Sequence, residues 1–220
     1  MTDFSLPEEL VLLQRTVRGF VEERLAPRSA EIEERDEIPR ELIDAMAALG
    51  LFGIGFPEEV GGQGFGKLGY CVAVEQLARV NASVWNVIGG SSGLCAQAID
   101  LGGSDELRWR YLPDLLSARR IGAYALSEPS AGSDAGGLGT LARRNGDEYV
   151  LDGAKTFITN APIADVFVVF ATVDREAGSK GITAFVVERG ARGLEIGPND
   201  AKMGLHGSST TPLILQDVRV

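Results

Sequence analysis

The chain has one histidine, His206, and two separated cysteines, Cys71 and Cys95, too few for a zinc site or a disulfide framework. Basic charge is scarce too. Lys and Arg number 21 against 31 Asp and Glu, and the formal charge of −10 repels phosphate backbones and anionic lipid. Nucleic acid and membrane surfaces are therefore not expected as partners. No apolar run reaches the roughly 18 residues of a membrane span. No G-x-G-x-x-G stands between a strand and a helix, and no G-x-x-x-x-G-K-[ST] occurs, which excludes a Rossmann-type nicotinamide enzyme and a P-loop. The first residues, Met-Thr-Asp-Phe, are acidic and carry no basic leader before an apolar core. Both cysteines sit in apolar helical runs and are expected as buried thiols, so a reducing, cytoplasmic setting is expected.

What is present is ordinary for a globular protein, with 45% hydrophobic and 24% charged residues in 220. That length can bury a sizeable core as one large domain or two smaller ones. The periodicity favours two. From Leu6 to about Arg120 apolar residues recur at three- and four-residue spacing. Ser5 is the expected cap of a long first helix reaching Glu34, and a second runs from Pro39 to Leu49 and stops at Gly50. After a glycine-rich loop, Gly53 to Gly66, helices are expected at Lys67–Val80, Ser83–Leu101 and Ser104–Ala118. From Ile121 the pattern turns to short branched and aromatic runs, Tyr149–Leu151, Val166–Thr172, Ile182–Val187 and Leu213–Val220. Asn145-Gly146 and Asp152-Gly153 are turn dipeptides. The expected fold class is α+β: an N-terminal α-helical domain over residues 1–120, then an antiparallel β-barrel or sandwich over residues 121–220.

Two segments suggest chemistry. Residues 124–134, Tyr-Ala-Leu-Ser-Glu-Pro-Ser-Ala-Gly-Ser-Asp, bring a proline turn and hydroxyls to the end of a strand. Taken alone this is a capped turn, yet fixed donors of this kind also suit a polar cofactor. The second is Gly153-Ala-Lys-Thr-Phe-Ile-Thr-Asn160, which alone reads as an alternating strand with Lys155 solvated. Gly89-Gly90-Ser91-Ser92-Gly93 fits the nucleophile-elbow pattern G-x-S-x-G, but lies inside a helical run where an elbow needs a preceding strand. His206 is then a loop residue and no base. The acidic run Glu31 to Glu37 reads as a solvated helix end.

Together the two segments resemble the flavin-contacting signatures of the acyl-CoA dehydrogenase family, and the likeness extends over nearly the whole chain. The resemblance implies that FAD is the cofactor, lined by Tyr124, Ala125, Leu126, Ser127, Ser133, Phe157, Ile158 and Thr159. Ser133 would also touch the bound thioester. Ser127 stands where many members have threonine, and Phe157 where many have tryptophan. The implied substrate is an acyl-CoA or related thioester, with an electron-transfer flavoprotein as acceptor. In the family a C-terminal helical bundle follows and carries the base, so no catalytic residue is expected within this chain. A homo-oligomer, or a partner chain supplying that bundle, is expected, together with exposed apolar surface. The stretch Leu94 to Ile99 is a candidate pocket wall. Alternatives of the same fold are a flavin monooxygenase and a carrier-protein acyl dehydrogenase; a non-catalytic binding or assembly subunit is a third.

Overall fold

The computed structural model describes residues 5–220, so the acidic start at residues 1–4 lies outside them. Helix α1 (Glu8–Phe20) buries Leu10 and Val17, two turns apart on one face. Its cap position falls to Pro7 and not Ser5, because proline's fixed φ suits a helix start and its missing N–H costs nothing there. Glu8 and Glu9 in the first turn favour the positive end of the helix dipole. The single long helix expected to reach Glu34 is interrupted. A π turn at Val21–Leu25 and a 3-10 turn at Ala26–Arg28 precede α2 (Ser29–Arg35), since Pro27 cannot donate to the helical ladder. Helix α3 (Arg40–Ala48) buries Leu42, Ile43 and Met46.

Helix α4 (Gly66–Ala78) leads to α5 (Ala82–Ile88), whose cap Asn81 accepts the Ser83 N–H at 2.9 Å. A π-helical stretch, Gly89–Ala96, continues into α6 (Gln97–Gly102). Helix α7 (Asp105–Leu116) is capped by Ser104, as expected.

The second half is a seven-stranded curled sheet: β1 (Gly122–Ala125), β2 (Leu141–Asn145), β3 (Glu148–Thr159), β4 (Val166–Thr172), β5 (Ile182–Glu188), β6 (Leu194–Ile196) and β7 (Thr210–Arg219). Its path runs β1-β4-β2-β3-β7-β6, with β5 on β4. The α+β architecture is as expected, but the sheet is mixed rather than wholly antiparallel. Strand β1 pairs parallel to β4, and Leu141 of β2 pairs parallel with Thr172. A parallel pair needs a long crossover, which residues 126–165 supply.

The β2–β3 hairpin turns one residue later than the Asn145-Gly146 dipeptide, at Gly146-Asp147: Asn145 still pairs with Glu148, and Gly146 takes φ +66°. Asp152-Gly153 does not turn. It lies within the twelve-residue β3, where a Cβ on residue 153 would come 2.4 Å from Thr140 Oγ1, so the glycine permits close approach between neighbouring strands.

One core fills the helices around Phe52, Met46 and Leu77, and a second fills the sheet around Phe167, Leu151 and Leu213. A third joins the halves, packing Cys95, Ile99, Leu112 and Leu115 against Val166 and Val168. Polar ties reinforce it: Gly122 N–H donates to Ser91 Oγ at 2.9 Å, and Asn160 Nδ2 donates to Val87 O at 2.9 Å and Gly122 O at 3.2 Å. The helical wall is thereby fixed against the ends of β1 and β3.

Candidate functional site

The two sequence segments meet. Thr156 N–H donates to Ser127 O at 2.9 Å, laying the segment after β1 along β3. Between them lies a buried ion pair that sequence reasoning missed. Lys155, expected to be solvated, has no exposed side-chain surface; its Nζ lies 2.7 Å from Glu128 Oε1 and 3.1 Å from Leu126 O. Glu128 also accepts the N–H groups of Gly139 at 2.6 Å and Thr140 at 3.0 Å. Burial pushes the Glu128 carboxyl up, but Lys155, Thr140 and Gly139 outweigh it and hold the group below the usual carboxylate range. A charged pair sealed in this way survives only because its oxygens are all occupied. It ties the strand β3, the turn at residues 126–128 and the loop at residues 139–140 into one unit.

Strand β3 is irregular where the site lies. Lys155 pairs with Leu213 and Ile158 with Thr211, so β3 holds one extra residue against β7. In a regular strand residues three apart face opposite sides; the bulge lets Lys155 and Ile158 both point inward. Phe157 is then thrown outward, 69% exposed, with its backbone in the left-handed region at φ +58°. The buried aromatic of a plain alternating strand is thus not what forms. A bulky residue at such a φ costs of order 1–3 kcal/mol and persists where the surroundings over-determine it.

The other expected contacts divide by exposure. Ala125 and Ile158 are core residues, so only their backbone can face a ligand. Tyr124, Leu126, Ser127 and Thr159 are half-buried at the surface of the site. Tyr124 packs on Phe170 with ring centroids 4.8 Å apart. Ser133 stands on an exposed loop.

Thr159 also lines a cavity of about 320 Å³, walled by the glycines of the π-helical stretch and by Phe52, Phe56, Tyr70 and Trp85. The glycines admit these side chains at close range: a Cβ on residue 89 would come 2.4 Å from the Trp85 ring. Of the candidate wall Leu94 to Ile99, Leu94 and Gln97 line the cavity, whereas Ile99 belongs to the core. The aromatic walls come from separate helices and loops, with no local motif to announce them.

Other sequence readings are settled by position. Ser91 is fully buried in the π-helical stretch and accepts a backbone N–H, so no nucleophile elbow exists. His206 is a loop residue, as expected, but the acidic run it meets is no plain solvated end. His206 Nδ1 lies 2.7 Å from Asp36 Oδ1, and its backbone N–H donates to Glu33 Oε2 at 3.1 Å. Cys95 is buried; Cys71, expected to be buried, is exposed because α4 turns that face outward. Among the described residues no three potential metal ligands cluster, and no helix is long and apolar enough to cross a membrane.

The residues present suit the edge of a flavin. Phe157 offers an exposed aromatic ring, Ser127 and Thr159 offer half-buried hydroxyls, and Thr159 also lines the apolar cavity, a set that suits a ring system with a polar rim.

Comparison with known proteins finds similarity along nearly the whole chain. The family descriptions "Acyl-CoA dehydrogenase, N-terminal domain" and "Acyl-CoA dehydrogenase, middle domain" match residues 7–119 and 123–218. A short-chain-specific acyl-CoA dehydrogenase of Clostridium acetobutylicum is 42% identical over 218 residues, covering 99% of this chain and 58% of the relative. The CarC subunit of the caffeyl-CoA reductase–Etf complex of Acetobacterium woodii is 38% identical, over 97% of this chain and 56% of its own length. The butyryl-CoA dehydrogenase structure from Megasphaera elsdenii superposes with a TM-score of 0.94 at 38% identity, covering 100% of this chain and 58% of that one. The chain thus spans somewhat over half the length of these relatives.

Proposed function

The chain belongs to the acyl-CoA dehydrogenase family, and from that premise we propose that it carries the flavin-contacting and acyl-binding part of an FAD-dependent enzyme acting on acyl thioesters. The observation that carries this reading is that the segment of Ser127 is hydrogen-bonded along β3, and that Thr159 of the same strand lines the apolar cavity. FAD, when bound, supplies the acceptor for the hydride that leaves the β-carbon as the α,β-bond is desaturated.

The chain's own residues hold and orient. Phe157 offers its ring face to the flavin, while Thr159 and Ser127 offer hydroxyls to its polar edge. The aromatic walls exclude water from the acyl group, and desolvation strengthens every polar contact around the reacting carbons. Ser133, on its exposed loop, is the proposed contact to both cofactor and thioester. We assign the α-proton's base to none of these residues. It belongs, in this reading, to the further part that the longer relatives possess, whether in the same polypeptide or in a partner chain. An electron-transfer flavoprotein is the proposed acceptor, a reading supported by the Etf complex named for the Acetobacterium woodii relative.

The test is to add FAD to the purified chain and follow its visible absorbance and fluorescence. Binding that weakens in Thr159→Ala, and a flavin spectrum perturbed by acyl-CoA, are the expected results. A preparation that takes up no FAD favours a binding or assembly role, and bleaching by NAD(P)H but not by acyl-CoA favours a monooxygenase.

A further inference from the structure

The cavity has a direction. At one end Gly90 lies against β3, and a Cβ there would come 3.4 Å from Thr159 Cγ2. Three residues on, a Cβ at Gly93 would stand 2.8 Å from the Tyr70 hydroxyl. One turn further, Gln97 accepts a hydrogen bond from Lys67 Nζ. The seven residues from Gly90 to Gln97 would cover about 10 Å as α-helix and cover less in this π-helical stretch. Thr159 thus marks the reacting end, and Lys67 and Tyr70, three apart on one face of α4, mark the far end.

Those far-end groups are donors with no carboxylate partner among the described residues; Lys67 is exposed and Tyr70 half-buried. No Asp or Glu lines the cavity, and among the described residues the only recorded partner of Lys67 is the neutral Gln97 amide. Burial, and then the neighbouring Cys71, raise the Tyr70 phenol above its ordinary pKa, so it remains an O–H donor at neutral pH. The chain as a whole carries −10, which disfavours anionic ligands wherever no local cation offsets it. An ammonium beside a phenol at the end of an apolar slot is such an exception.

We propose that this end of the cavity selects acyl thioesters whose far carbon bears a carboxylate, with Lys67 pairing with that carboxylate and Tyr70 donating to it. The inference rests on the acyl-thioester reading of the same cavity. A plain fatty acyl chain of equal length offers Lys67 no counter-ion, whereas a terminal carboxylate at the far end of the slot supplies one and an acceptor for Tyr70.

The experiment compares octanoyl-CoA with the mono-CoA thioester of octanedioic acid, titrated calorimetrically into the FAD-supplemented chain. The dicarboxylic ligand is expected to bind about tenfold more tightly, the scale of one charge-assisted hydrogen bond. Lys67→Met should abolish the preference and Lys67→Arg should keep it. Equal affinities in the wild type, or a preference that survives Lys67→Met, overturn the assignment of Lys67. Failure of both ligands to bind overturns the acyl-thioester reading itself, and the inference with it.

Discussion

Lys155 Nζ lies 2.7 Å from Glu128 Oε1, with both side chains closed off from solvent, and this contact pins the turn after β1 to the strand that carries Phe157 and Thr159. The two residues come from the two segments that bear the flavin-contact signatures. Removing one partner leaves the other charged and buried. Lys155→Met and Glu128→Gln should each cost about 3–5 kcal/mol in denaturant-monitored unfolding. A loss below ~1 kcal/mol in both would mean that water reaches the pair.

The same pair sets an acid limit. Glu128 has its folded-state pKa lowered, so its contribution to stability is complete above the ordinary glutamate value of 4.5 and is lost as pH falls through the lower folded value. Unfolding free energy should therefore drop with acidification below pH 4.5, and Glu128→Gln should flatten part of that slope. A variant whose acid limb matches the wild type would assign the limb to other carboxylates.

Phe157 separates stability from binding. Its φ of +58° is unfavourable for phenylalanine and free of cost for glycine. Phe157→Gly should leave thermal stability unchanged or raise it by up to ~1 kcal/mol while weakening FAD binding, measured by fluorescence titration. Equal FAD affinity in the two proteins would remove Phe157 from the cofactor site.

The cysteines should differ in reactivity. Burial pushes the Cys95 thiol up to about 12, whereas Cys71 is exposed. Native protein should react with a disulfide-exchange reagent at one thiol, and unfolded protein at two. Prompt reaction of both thiols in the native state would show that the packing of Cys95 against Val166 opens readily.

Much of the fold could be read locally. The Ser104 cap of α7, the turn at Gly146 and the change from helices to strands near residue 120 each depend on neighbours within a few positions, where capping and turn chemistry act. The two candidate segments stood out for the same reason, since each is short and continuous. What escaped was non-local. Lys155 looks solvated until the β3 bulge turns it inward to meet Glu128, 27 residues away. Asp152-Gly153 looks like a turn until Thr140 is seen to occupy the space of a side chain.

The sequence by itself determined the order of a helical half and a strand half, the hydroxyls carried by the two candidate segments, and the lack of zinc or nucleotide-loop motifs. Those follow from periodicity and from residue type. Only the tertiary structure decided that β1 runs parallel to β4, that Phe157 faces outward, and that Lys67, Tyr70 and Thr159 line one cavity. Each of these depends on which distant residues fill the space beside a backbone, and periodicity along the chain carries no record of that.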